Sequence, residues 1–174
     1  MAATTTVQTL AGLAMPRLIY GTAWKKERTA SLVVAAVRCG FRAIDTACQP
    51  KHYTEPLVGE ALATLAAEGI AREQLFVQTK YTPFDGQDPR SCPYDSRLPL
   101  ASQVAKSVAV SLSNLQSSYI DSLVLHSPLR THEETMTVWR AFEAAVAAGQ
   151  VRQLGISNCY DLARLKQVRW RPRC

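Results

Sequence analysis

The chain has 174 residues, 47% of them hydrophobic and 20% charged, with a net charge of +6. This length and apolar content suffice for one domain with a buried core, which excludes a disordered chain as the starting expectation. The basic excess forms no stripe interleaved with aromatics. It gathers only at Arg169, Arg171 and Arg173, so no nucleic-acid partner is expected.

Short apolar runs alternate with longer helical patterns along the chain. Arg17–Tyr20 reads as a first strand, followed by a helical pattern over Ser31–Arg38 that closes at Gly40. Phe41–Ile44 is the second strand. Thr54 then stands as an N-cap, with Pro56 in the first turn, where a missing N–H costs little. That helix runs toward Glu68 and stops at Gly69.

Leu75–Thr79 is the third strand. Tyr81–Leu98, rich in Pro, Gly, Asp and Ser, is a loop. Pro99 opens a helix whose Val104, Val108, Leu112 and Leu115 share one face. Tyr119–Leu125 is the fourth strand. Thr131 with Glu134 forms a capping box for a helix that buries Trp139, Phe142 and Val146 and ends at Gly149. Val151–Ile156 is the fifth strand, and Asn158 caps a last helix starting near Cys159.

Strands that alternate with helices across short connections predict parallel pairing and right-handed crossovers. An open nucleotide-binding sheet normally carries a glycine-rich turn after its first strand, and neither G-x-G-x-x-G nor G-x-x-x-x-G-K-[ST] occurs. Polar residues instead collect at successive strand ends: Asp45, Lys80, His126, Ser157 and Asn158. That habit belongs to a (β/α)8 barrel, whose site lies on that face. The expected fold is therefore α/β, a partial (β/α)8 barrel with about five βα units. Five cysteines without C-x-x-C spacing suggest reduced thiols and a cytoplasmic setting. No signal peptide or membrane span is expected. His132-Glu133-Glu134 lacks the H-E-x-x-H spacing, so no metal site is expected either.

Asp45, Tyr53, Lys80 and His126 form the chemical constellation. Reduction of a carbonyl by hydride leaves an alkoxide that must be protonated. A phenol of pKa ~10 is a weak acid at neutral pH, and a neighbouring ammonium lowers that value. A carboxylate holds the ammonium, and an imidazole orients the carbonyl oxygen. Each residue alone has a plainer reading. The aspartate suits a helix cap, the lysine a surface charge, and the histidine a structural hydrogen bond; the tyrosine is uninformative. Their recurrence at consecutive strand ends favours chemistry.

These residues stand in motifs that resemble the aldo-keto reductases, from about Leu13 to about Val168. Gly21-Thr22-Ala23-Trp24 is similar to the family's early G-T-x-W segment. Gly40-Phe41-Arg42-Ala43-Ile44-Asp45-Thr46-Ala47 is similar to G-[FY]-R-x-I-D-T-A. His52-Tyr53-Thr54-Glu55 followed by Val58-Gly59-Glu60-Ala61-Leu62 is similar to Y-x-x-E…V-G-x-A-[LI]. Thr79-Lys80, Asp121–Pro128 and Gly155-Ile156-Ser157-Asn158 resemble T-K, D-x-x-x-[LI]-H-x-P and G-[VI]-S-N.

The resemblance implies Tyr53 as general acid, assisted by Lys80 and Asp45, with His126 placing the substrate carbonyl. It implies NADPH (NADP) as cofactor, with Gly21, Thr22, Trp24, Asp45, Ser157 and Asn158 beside it. Aldehydes or ketones are the implied substrates. The spacing from Asp45 to Tyr53 is longer than the family's usual one because Gln49-Pro50-Lys51 is inserted, as in a subgroup with Q-P-K-H-Y. The loop Thr82–Leu98 fits that subgroup and lines either the substrate mouth or solvent.

A complete barrel needs about 250 residues. Residues 1–168 are therefore expected to form the N-terminal part of such a barrel, and 169–174 a non-homologous basic tail. The isolated chain is expected to self-associate through its open strand edges and to turn over weakly. The competing expectation is an inactive half-barrel that binds or complements another fragment.

Overall fold

A computed structural model describes residues 6–168, so the expected tail at 169–174 lies outside the described residues. The chain opens on an antiparallel hairpin of β1 (Thr6–Gln8) and β2 (Ala14–Pro16), turned by backbone bonds between Thr9 and both Gly12 and Leu13. This hairpin is not apparent in the sequence. The strand expected over Arg17–Tyr20 shrinks to β3 (Tyr20–Gly21), because Arg17 and Leu18 stand in solvent.

Beyond it come β4 (Ala43–Asp45), β5 (Phe76–Tyr81), β6 (Ile120–Leu125) and β7 (Val151–Ile156). The intervening helices are α1 (Thr29–Arg38), α2 (Glu55–Ala67), α3 (Leu100–Asn114) and α4 (His132–Ala147), and α5 (Leu162–Gln167) follows β7. The five strands pair in parallel in the order β3-β4-β5-β6-β7, which is chain order. A doubly wound sheet must reverse its strand order at a switch point. This one never does, so each helix adds its strand to the same growing edge, as in part of a (β/α)8 barrel.

Alternation along the strands divides the sheet's faces. Ile44, Val77, Tyr81, Leu123 and Leu125 form the core with Val33, Val37, Val58, Leu65, Val104, Val108, Val138, Trp139 and Phe142 of the helices. The expected stripes hold, except that Leu112 and Val146 are only half-buried. Helices α2 and α3 approach so closely that a Cβ on Gly59 would lie 2.0 Å from the Asn114 carbonyl oxygen. Only glycine allows that contact.

Helix ends follow local chemistry. Thr131 Oγ1 accepts from the Glu134 amide at 3.1 Å, while Glu134 Oε2 accepts from the Thr131 amide at 3.0 Å, which completes the expected capping box. Thr54 occupies the N-cap of α2, but its side chain caps nothing. The last helix starts later than expected. Asp161, not Asn158, accepts from Ala163 and Arg164 amides at 2.8 and 3.3 Å. No helix among the described residues is long and apolar enough to cross a membrane.

Candidate active site

The other face of the sheet carries a polar row. Register sets Asp45 opposite Gln78, Gln78 opposite Ser122, and Ser122 opposite Gln153. Ser122 Oγ donates to Gln78 Oε1 at 3.0 Å, which turns Gln78 Nε2 toward Asp45 Oδ1 at 2.8 Å. Lys80, two residues beyond Gln78 on the same face, places Nζ 2.7 Å from each Asp45 oxygen and 2.8 Å from the Thr46 carbonyl oxygen. An ammonium has three N–H donors, so these acceptors take all of them.

Tyr53 reaches this pair from the loop after β4. The Tyr53 amide closes a turn on the Gln49 carbonyl at 3.0 Å, and Gln49 Nε2 donates to the Gly86 carbonyl at 2.6 Å. The inserted segment thus fastens to the loop after β5. Trp24, with its backbone at φ +62°, donates its amide to the His52 carbonyl and lays its ring 4.0 Å from the His52 ring.

The Lys80 ammonium then lies 4.9 Å from the centre of the Tyr53 ring, and the His126 ring meets Tyr53 edge-on at 6.1 Å. His126 follows β6 directly; its amide donates to the Tyr81 carbonyl, and its carbonyl accepts from Asn158 Nδ2 at 2.7 Å. The fold therefore brings Asp45, Tyr53, Lys80 and His126 together.

Their electrostatics differ from expectation in one respect. The Tyr53 phenol is pushed up, not down, first by burial and then by the Asp45 charge. The larger cause is burial, which disfavours the charged phenolate, and the neighbouring Asp45 carboxylate adds to it. Burial lowers Lys80, with Asp45 opposing. Burial, with the Lys80 charge adding to it, takes His126 down to about 4, so its imidazole is neutral at pH 7.

The residues expected beside a cofactor are more dispersed. Thr22 is buried, and its hydroxyl donates to the Asp45 carbonyl at 2.9 Å. Gly21 is exposed, and Trp24 is 65% exposed. Asn158 holds the His126 carbonyl with one end of its carboxamide and accepts from the Tyr160 hydroxyl with the other. Ser157 is half-buried, and its hydroxyl has no hydrogen-bond partner among the described residues.

Sequence reasoning missed three contributors: Gln78, Ser122 and Thr82. Thr82 Oγ1 lies 2.7 Å from His126 Nδ1. Glu55 is buried at the start of α2 and accepts from the hydroxyls of Thr79 and Ser111 and from Asn114 Nδ2. Burial raises its carboxyl. Gln78 sits one position from Thr79-Lys80, so alternation along β5 was the available signal for it. Nothing in the sequence pairs Thr82 with His126.

Comparison with known proteins bears on the family and the fold. The model of the aldo/keto reductase family matches residues 15–173. Morphine 6-dehydrogenase of Pseudomonas putida is 31% identical over 148 residues, covering 84% of this chain and 44% of that protein. Methylglyoxal reductase DkgA of Salmonella typhimurium is 30% identical over 160 residues, covering 91% and 50%. The chain thus spans about half the length of the curated relatives it matches. The crystal structure of an aldo/keto reductase from Brucella melitensis superposes with a TM-score of 0.76 at 30% identity, covering 95% of this chain and 57% of that one. A Bombyx mori aldo-keto reductase in complex with NADP shares the fold, with a TM-score of 0.77 at 24% identity. On sequence and fold together, the chain belongs to the aldo/keto reductase family.

Proposed function

We propose that this chain carries the proton-donor half of a carbonyl reductase site, in which Tyr53 protonates the oxygen of an aldehyde or ketone as NADPH reduces its carbon. The observation that carries the reading is the joint placement of a protonated phenol, a clasped Lys80–Asp45 pair and a neutral imidazole. A raised phenol keeps its proton at neutral pH. It gives that proton to an oxygen only as negative charge develops there. The Lys80 ammonium, 4.9 Å from the centre of the Tyr53 ring, is the positive charge beside the phenolate left behind. His126, neutral at pH 7, donates one N–H to the same oxygen and sets its direction.

NADPH, when bound, supplies the hydride. The open Trp24 ring, the unengaged Ser157 hydroxyl and the Asn158 carboxamide fit a nicotinamide end, with Asn158 exchanging its Tyr160 contact. Gly21 leaves space there, since a Cβ would meet nothing within 4 Å. Thr22 acts from below, holding the backbone of Asp45.

The relatives include a protein named as a methylglyoxal reductase, which makes small dicarbonyls the first substrates to try. The test joins residues 1–158 to the remaining half of that reductase and follows NADPH absorbance with methylglyoxal and small aldehydes. Consumption dependent on the carbonyl is expected. A folded chimera that consumes no NADPH with any of them contradicts the reading.

A further inference from the structure

The neutral His126 ring has two tautomers, and only one offers a proton on Nε2. The choice rests on what Nδ1 does. Its neighbour is Thr82 Oγ1 at 2.7 Å, and Thr82 is 3% exposed. Among the described residues this hydroxyl has no other hydrogen-bond partner. Were Nδ1 to carry the proton and donate to Oγ1, the buried hydroxyl proton would have no acceptor. With the proton on Nε2, the buried hydroxyl donates to Nδ1, and the Nε2 proton lies on the half-buried side of the ring, where it is not stranded. Nε2, on the far side of the ring from Thr82, is then the donor left for the mouth that Tyr53 and Lys80 share.

The hydroxyl's direction is itself fixed. The Thr82 carbonyl accepts from the Tyr94 hydroxyl at 2.6 Å and from Gln87 Nε2 at 3.3 Å. The Thr82 methyl lies against Gly86, where an added Cβ would stand 2.8 Å from it. The carbonyl bonds hold the backbone that carries the side chain, and the space beside Gly86 takes the methyl, which sets χ1 with the hydroxyl toward His126. His126 is held from both sides of its backbone by Tyr81 and Asn158.

We propose that Thr82 is a positioning residue: its hydroxyl, seated by Gly86, Gln87 and Tyr94, fixes His126 as the Nε2–H tautomer. The consequence for turnover rests on the carbonyl-reduction reading, whereas the tautomer does not.

Long-range proton–nitrogen correlation spectra of the isotope-labelled full chain at pH 7, without cofactor or substrate, read the tautomer directly. The cost of stranding a buried hydroxyl predicts a bias of about tenfold or more toward Nε2–H. Thr82→Val, isosteric but without a donor, brings the ratio toward parity, and Thr82→Ser retains the bias. Gly86→Ala, which displaces the methyl, weakens it. A wild-type ring protonated on Nδ1, or a dispersed Thr82→Val spectrum with an unchanged ratio, overturns the proposal. If Thr82→Val does not fold, Gly86→Ala decides: a reduced bias supports the proposal, and an unchanged one overturns it. Absence of carbonyl reduction in the chimera leaves this tautomer result standing, so the two failures are distinguishable.

Discussion

Asp121, near the start of β6, and Asp45, at the end of β4, are both carboxylates held by cations, and the sheet treats them differently. Asp121 accepts from Arg72 at 2.7 Å, from the Val77 amide at 2.9 Å and from Arg152 at 3.1 Å, and its side chain is 5% exposed. The two guanidiniums also lie over the Tyr119 ring, at 4.3 and 3.8 Å from its centre. Asp45 is 22% exposed at its side chain and is held by Lys80 and Gln78. Guanidiniums are planar, permanently charged forks, whereas an ammonium is a point charge whose pKa moves with its surroundings. The Asp121 carboxylate is enclosed by its two arginines and the Val77 amide, although the Tyr119 hydroxyl beside it is buried without a partner among the described residues. The Asp45 cluster keeps the Tyr53 hydroxyl and one His126 nitrogen free of partners among the described residues. A carboxylate enclosed by its donors holds structure, whereas a donor left facing the mouth is what the proposed proton transfer needs.

The largest expected effect on stability follows from that contrast. Asp121→Ala removes the acceptor of the largely buried Arg72 and of the Val77 amide, beside an Arg152 that solvent already reaches, and should cost about 3 kcal/mol in urea unfolding. Asp45→Asn, at the more open mouth, should cost clearly less in the same assay. Equal losses would break the comparison. Gly59→Ala drives a methyl onto the Asn114 carbonyl and should cost about 1–3 kcal/mol or prevent folding.

The histidine sharpens the contrast by pH. Burial disfavours its imidazolium, so nuclear magnetic resonance should find His126 titrating at about 4. An unfolded histidine binds its proton near ~6.5, so this group's contribution is full above that pH. The contribution is lost as pH falls toward the folded value, and below it there is no further change. Titration near the unfolded value would mean an open, hydrated ring. The smallest effect belongs to a feature remote from both clusters: Thr131→Ala should cost about 1 kcal/mol by removing the α4 cap.

Much of this was legible in the residues themselves. The Thr131–Glu134 box and the strand Val151–Ile156 were readable because capping and apolar runs are local signals. Strand-end positions of Asp45, Lys80 and His126 followed from alternation and a barrel's habit of collecting polar groups at one rim. The β1–β2 hairpin was hidden because its strands have three residues each, too short for periodicity. The last helix was misplaced at Asn158, whose carboxamide is engaged by His126 and Tyr160 and is unavailable as a cap. The rise of the Tyr53 pKa and the Thr82 contact depend on three-dimensional distances between loops that no sequence spacing encodes.

The most direct test of the central claim is Tyr53→Phe in the chimera, with turnover and thermal unfolding measured on the same preparation. Removing a positioned proton donor should slow NADPH-dependent carbonyl reduction by about 10²–10⁴-fold while the unfolding temperature stays close to wild type. Reduction at an undiminished rate by a folded Tyr53→Phe protein would contradict the account.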